Sequence, residues 1–439
     1  MARRQELTES HSDLASRLAD ARARTDEIFA LLTPDALYAR PIPERHRLVF
    51  YLGHLEAFDW NLVGRQGYGI EPFEERFDRL FAFGIDPVGG GLPNEPASEW
   101  PRVEEITAYN QRVRDAIDAC LAGRRPKRSE ESEDTLFQMA IEHRLMHAET
   151  LAYLLHQLPY ESKQGGANGS AVGEVAIRDG VAEIPAGTAT LGRLRADGGF
   201  GWDNEFERSV VHVPAFAIDL HKITNRQFLA FVEDRGYERR ELWSDADWNW
   251  IESQGVRHPG FWNRRDDAWH YRGMFEEKPL AATAPVYVSY AEAAAYARWS
   301  GRVLPTEAQF HRAAYGTPSG EERAFPWGED APAGRLGNFD MRHWDPTPLG
   351  AFPEGDSAFG VSELVGNGWE WTSSVFGPFS GFRPHPYYPG YSADFFDGSH
   401  YVMKGGSPRT AACMLRRPFR NWFQPHYPYV YTTFRLVSA

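Results

Sequence analysis

The chain has 439 residues, enough for two domains that each bury a core. A net charge of −14, with no long basic stripe, excludes phosphate-backbone binding and so nucleic-acid partners. Two cysteines rule out a disulfide framework, and no apolar run nears the roughly 20 residues that span a bilayer; the polar N-terminus also lacks a signal-like region, so a soluble cytoplasmic protein is expected.

The first 160 residues read as helices. From Thr8 to Leu32, the residues Leu14, Leu18, Ala21, Ile28 and Leu31 recur at helical spacing until Thr33-Pro34-Asp35 stops them. Further helices are expected from about Arg45 to Leu62, Val103 to Leu121 and Thr135 to Leu158, the last closed by Pro159. Four such helices suggest an up-and-down bundle, where metal sites form between facing helices. The Gly- and Pro-rich stretch from Tyr68 to Trp100 is a long connection of the kind that serves as a lid. Residues 161–175 read as a linker around Gln164-Gly165-Gly166-Ala167-Asn168-Gly169-Ser170. Beyond it, strand-like pieces such as Val210–Val213 and Val286–Val288 alternate with Gly, Pro, Asp and Asn turns. Helices are expected there over Asn225–Asp234 and Tyr290–Ser300, and another starts at Pro305-Thr306-Glu307 with Thr306 as its cap. The predicted organisation is a helical bundle over 1–160, a linker over 161–175, and a loop-rich α+β domain over 176–439.

The histidines carry the chemistry. His143 and His147 lie four apart in the fourth helix, so both imidazoles project from one face and can chelate one metal. Such a pair also arises by chance, and a zincin reading fails because Arg144 stands where the Glu base belongs. His54 lies in the apolar run Leu48-Val49-Phe50-Tyr51-Leu52-Gly53-His54-Leu55 and should face the bundle interior. A lone histidine there is usually a core residue bonded to a carbonyl. Three inward histidines on two helices make a nitrogen set that leaves coordination positions open for iron or zinc catalysis. Glu56 and Glu149 are candidate acceptors for their ring N–H groups.

The second half holds, in order, Phe216-Ala217-Ile218-Asp219, Thr224-Asn225-Arg226-Gln227-Phe228, Arg302-Val303-Leu304-Pro305-Thr306-Glu307, Phe325-Pro326-Trp327-Gly328, Gly366-Asn367-Gly368-Trp369-Glu370-Trp371, Lys404-Gly405-Gly406-Ser407 and Phe434-Arg435. Together they resemble the formylglycine-generating-enzyme fold, which is C-type-lectin-like. That family's enzymes use two cysteines shortly after the Gly-Gly-Ser motif; only Cys413 stands here, which argues against formylglycine generation. The first half resembles a DinB-like four-helix bundle with His54, His143 and His147 at the metal positions. The combination resembles the thiohistidine sulfoxide synthases, of the ergothioneine, ovothiol and selenoneine types.

This resemblance implies an Fe(II) centre on His54, His143 and His147 that activates O2 and joins a chalcogen to the imidazole ring carbon of hercynine. It implies that Arg420, Asn421, Trp422 and Phe423 form the substrate-binding stretch, with Asn421 and Trp422 on the betaine end; aromatic faces suit a trimethylammonium group, which has no proton to donate. Apart from the resemblance, Tyr387, Tyr388, Tyr391, Tyr427 and Tyr429 are all candidate proton or electron donors, with Tyr427 and Tyr429 taken as the catalytic phenols. A structural Ca2+ near Gly366 to Glu370 is also implied.

Within the family, ergothioneine synthases that use γ-glutamylcysteine carry an Asp and an Arg where this chain has Phe423 and Tyr427. A doubly charged donor loses both partners, whereas a sugar-like donor does not need them. The Leu80–Pro87 stretch also lacks the Tyr-Tyr pair of another ergothioneine group. The reading that fits best is selenoneine synthesis from a selenosugar. Its alternatives are a sulfoxide synthase that uses cysteine or γ-glutamylcysteine as thiol donor, and a metal-free binding module. Oligomeric state is not legible.

Overall fold

The computed structural model describes residues 2–82, 96–123, 127–129, 131–165, 173, 177 and 179–438, with side chains from residue 13 onward. Most of the expected linker, from Gly166, and the Phe83–Pro87 part of the long connection lie outside the described residues. The chain divides into two compact units, 1–166 and 167–439.

The first unit is helical: α1 (Ala2–Ala30), α2 (Leu48–Asp59), a short α3 (Glu75–Leu80), α4 (Val103–Leu121) and α5 (Glu133–Gln157). α1 lies along α5 and α2 along α4, the pairings of a four-helix bundle. α5 starts where the Ser132 hydroxyl accepts the Thr135 N–H, and it ends ahead of Pro159. α2 begins later than its apolar pattern suggests and continues beyond Asp59 into wider π-helical turns, Trp60–Gly67. α2 and α5 are buried on nearly every face, so their polar side chains must find partners inside the bundle. The first residues after α5 fold back onto the end of α1: the Thr33 N–H donates to the Ser162 carbonyl, and buried Lys163 caps the Leu155 carbonyl.

The second unit contains β1 (Val181–Ile184), β2 (Gly187–Leu191), β3 (Ser209–Val213), β4 (Phe216–Asp219), α6 (Asn225–Glu233), α7 (Asp245–Gln254), β5 (Trp262–Arg265), β6 (Ala268–Arg272), β7 (Glu277–Pro279), α8 (Tyr290–Trp299), α9 (Glu307–Tyr315), β8 (Trp369–Val375), β9 (Tyr401–Lys404), β10 (Asn421–Phe423), β11 (Thr432–Thr433) and β12 (Val437–Ser438). They form small sheets in the orders β1-β4-β12, β2-β3, β5-β6-β7 and β10-β9-β8-β11. α6, α8 and α9 each open on a Ser or Thr cap, with Thr306 capping α9 as its sequence predicts. α7 was not predicted, because its Trp- and Asp-rich sequence has no clear apolar period. Val286–Val288 is buried but joins no regular strand; its N–H groups reach single carbonyls of Ile223 and Thr432 instead of a ladder. One core lies where Phe310, Ala313 and Ala314 of α9 meet Ile184, Phe216 and Ile218.

Candidate metal centre and substrate strand

α2 and α5 bring the three predicted ligands together. His147 Nε2 lies 3.1 Å from His143 Nε2 and 3.2 Å from His54 Nε2, and all three side chains are buried. A ligand atom from each lies within 4.8 Å of the others, and among the described residues this is the one His, Cys, Asp or Glu group so arranged. His54 Nδ1 is 2.6 Å from the Phe81 carbonyl, which makes Nδ1 the protonated nitrogen and leaves a lone pair on Nε2. A proton on His147 Nε2 can serve one neighbouring nitrogen, whereas a cation satisfies all three. Burial holds His54 down to about 4 and pushes His143 and His147 well below the ordinary histidine range, so the rings are neutral at pH 7, as ligands must be. The donor set therefore fits a first-row divalent metal with positions left open.

Aromatic rings hold the imidazoles. Phe58 stacks on His143 at 3.5 Å between centroids, Phe50 on His54 at 4.8 Å, and the Tyr51 ring is 5.6 Å from that of His147. These contacts fix ring rotation and keep the site dry. The acceptor for His54 corrects the expectation for Glu56, whose carboxylate is taken by Arg114 and Arg144. Sequence reasoning missed Phe81 because a backbone carbonyl has no residue signature. It also missed Gly53, where a Cβ would lie 2.5 Å from three carbons of the Phe81 ring.

In the second unit, β10 pairs antiparallel with β9, placing Trp422 opposite Val402. Arg420, expected to touch substrate, is instead an anchor behind this strand. It is buried, bonded to both oxygens of Glu307 at 3.0 and 3.1 Å and to the Gly377 carbonyl at 2.9 Å. Asn421 Oδ1 accepts the Trp422 N–H at 2.9 Å. The half-buried Trp422 ring stacks on Phe376 at 4.2 Å, with Tyr391 edge-on at 5.4 Å and Phe395 at 5.6 Å. Tyr391 is itself stacked on Trp202, which makes it part of a wall. Phe423 stacks on Tyr427 at 5.2 Å, and Tyr427 meets Tyr429 edge-on at 5.0 Å.

The implied Ca2+ does not fit. Glu370, the carboxylate of the Gly366–Glu370 segment, is fully buried and already neutralised by Arg435 at 2.6 and 2.8 Å and by Lys222 at 2.7 Å. Two resident cations occupy the oxygens that a calcium ion would need.

Comparison with known proteins agrees with both halves. Residues 172–439 match the sulfatase-modifying factor enzyme 1-like domain, and residues 17–151 match the DinB superfamily. The chain is 34% identical over 434 residues to the hercynine oxygenase of Mycobacterium tuberculosis, covering 98% of this chain and 99% of that one. It is 33% identical over 437 residues to the hercynine oxygenase of Mycolicibacterium thermoresistibile, covering 97% and 94%. Ergothioneine biosynthesis protein 1 of Neurospora crassa is 26% identical, over 93% of this chain and 55% of that one. No helix among the described residues is long and apolar enough to cross a membrane. With a DinB domain ahead of a sulfatase-modifying-factor-like domain and full-length relatives above 30% identity, the chain belongs to the hercynine oxygenase, or ergothioneine-type, family.

Proposed function

We propose that this protein is an O2-dependent non-haem iron enzyme that joins a chalcogen to the imidazole ring carbon of hercynine, with a selenosugar as donor. The buried three-histidine cluster, in a chain whose full-length relatives are named hercynine oxygenases, carries this reading. Fe(II) would supply the redox centre for a four-electron reduction of O2: the ring C–H and the donor's chalcogen–hydrogen bond would give two electrons and two protons as the carbon–chalcogen bond forms, and the chalcogen would give two more electrons as it takes one oxygen atom, the other leaving as water. His54, His143 and His147 hold it through Nε2; Phe50 and Phe58 keep water from those nitrogens. Asn421 and Trp422 bind the betaine end of hercynine, the ring face of Trp422 meeting the trimethylammonium group. Arg420 keeps their strand in place through Glu307. Tyr427 and Tyr429 are the proposed source of a phenolic proton from Oη.

The donor assignment rests on the Phe423–Tyr427 stack, which offers a sugar ring an apolar face and a γ-glutamyl peptide no countercharge. The name ergothioneine biosynthesis protein 1 favours a second reading with a sulfur product, a sulfoxide for which cysteine or γ-glutamylcysteine is the proposed donor. Anaerobic titration with Fe(II), then air and hercynine with selenoglucose, cysteine or γ-glutamylcysteine in parallel, separates the two by the mass of the product. Stoichiometric iron and a selenium product are expected. A product with a thiol donor alone sinks the selenium reading, and wild-type iron binding in His143→Ala sinks the metal reading.

Two further outcomes are expected. Trp422→Ala should raise the KM for hercynine at least tenfold, since a desolvated cation–π contact contributes about 2 kcal/mol. Tyr427→Phe and Tyr429→Phe preserve the ring contacts and remove only Oη. Whichever phenol gives up its proton should lose at least tenfold in kcat with metal affinity unchanged; if neither slows, the proton comes from elsewhere.

A further inference from the structure

A buried arginine stands between two of the metal ligands in sequence. Arg144 follows His143 on α5 and is only 1% exposed. Its Nη2 donates to Glu56 Oε2 at 2.8 Å, to Asp59 Oδ2 at 2.7 Å and to the Leu55 carbonyl at 3.2 Å, all on α2, the helix that carries His54. Glu56 Oε1 accepts a bond from Arg114 Nε on α4 at 2.8 Å, and Arg114 pairs in turn with Asp26 on α1. The four long helices are thus tied together through one charged network beside the histidines.

This network also sets the field at the centre. Arg144 is next to His143 in sequence and bonds the turn of α2 that follows His54, so its charge lies beside the centre. The same field opposes any cation placed among them. At an effective dielectric near 20, an unscreened unit charge beside a dication weakens its binding by at least about tenfold. Glu56 is held ionised by Arg144 and Arg114 despite its burial.

We infer that Glu56 and Asp59 are positioning residues for the three-histidine centre: they cancel the Arg144 charge so that a divalent cation can enter beside it, while Arg144 fixes α5 against α2. This rests on reading the histidines as a metal site. Hydrophobic side chains could pack the same helices together, but they would leave no charge to balance. The distinguishing feature is therefore the sign of each substitution's effect on metal affinity.

The metal-free full-length protein is titrated with Co(II), read by d–d absorption and by competition with a chelator. Glu56→Gln, Asp59→Asn and the double variant Glu56→Gln/Arg144→Met are compared with wild type, and denaturant unfolding of each metal-free protein monitors the fold. Glu56→Gln retains the shape of the side chain and should raise the Co(II) Kd at least tenfold. Burial pushes the Asp59 carboxyl up while Arg144 pulls it down, so Asp59→Asn should raise the Kd in the same direction but by less than Glu56→Gln, and the comparison survives if Glu56→Gln does not fold. The double variant removes the repelling cation as well and should regain most of the lost affinity. Wild-type affinity in the folded single variants overturns the inference, as does a double variant that binds no better than Glu56→Gln. His143→Ala is the separate control: if it binds Co(II) as wild type does, the metal reading itself has failed.

Discussion

Gly53→Ala is expected to weaken metal binding at the three-histidine centre by at least tenfold while the bundle stays folded. The two effects separate because they act on different atoms. Alanine is favoured over glycine inside a helix by about 1 kcal/mol, so α2 itself gains. Against this, the new Cβ would sit 2.5 Å from the Phe81 ring, which is buried against Phe50, Phe77 and Trp100 and has to move. Overpacking of this kind typically costs 1–3 kcal/mol, so the net stability change is small. Its neighbours on three sides oppose rotation of the ring alone, so the shift is passed to the backbone, and the Phe81 carbonyl is the acceptor that fixes His54 Nδ1. Losing such an outer partner commonly lowers metal affinity 10–100-fold. Co(II) affinity and thermal unfolding of the same sample test this directly. An unchanged Kd would mean that Phe81 can yield without turning His54.

Glu370→Ala is expected to destabilise the second unit by about 3–5 kcal/mol, the range for stranding a buried charge. Arg435 and Lys222 both point at this carboxylate and neither is exposed. Removing it leaves two cations facing each other in the core. Lys222→Met should be far milder. Burial already disfavours the Lys222 ammonium, and the Arg435–Glu370 pair survives its loss. For a unit of this size, 3–5 kcal/mol corresponds to a fall of roughly 10 °C in melting temperature at a fixed scan rate. Equal melting temperatures for Glu370→Ala and Lys222→Met would contradict the assignment of Glu370 as the keystone. The same triad explains the misfit of Ca2+ at this segment: a lysine supplies the charge that a bound ion would have brought.

The three clustered histidines were legible in the sequence as candidate metal ligands because helical geometry is local. A four-residue spacing puts His143 and His147 on one face whatever surrounds them, and the apolar run around His54 dictates that it points inward. The two-domain organisation was legible for a similar reason, since ordered motifs survive when the loops between them vary. What surrounds those ligands was not legible. The Phe81 carbonyl reaches His54 across 27 residues, and Arg420 meets Glu307 across 113. No periodicity encodes such partners. Charge, too, was misread at short range: Glu56 looked like an acceptor for an imidazole, yet packing delivered Arg144 and Arg114 to it first. Sequence alone determined which side chains could hold a metal and which fold families frame them. Only the tertiary structure decided what neutralises, orients and dries that site, because those terms depend on atoms brought together from distant parts of the chain.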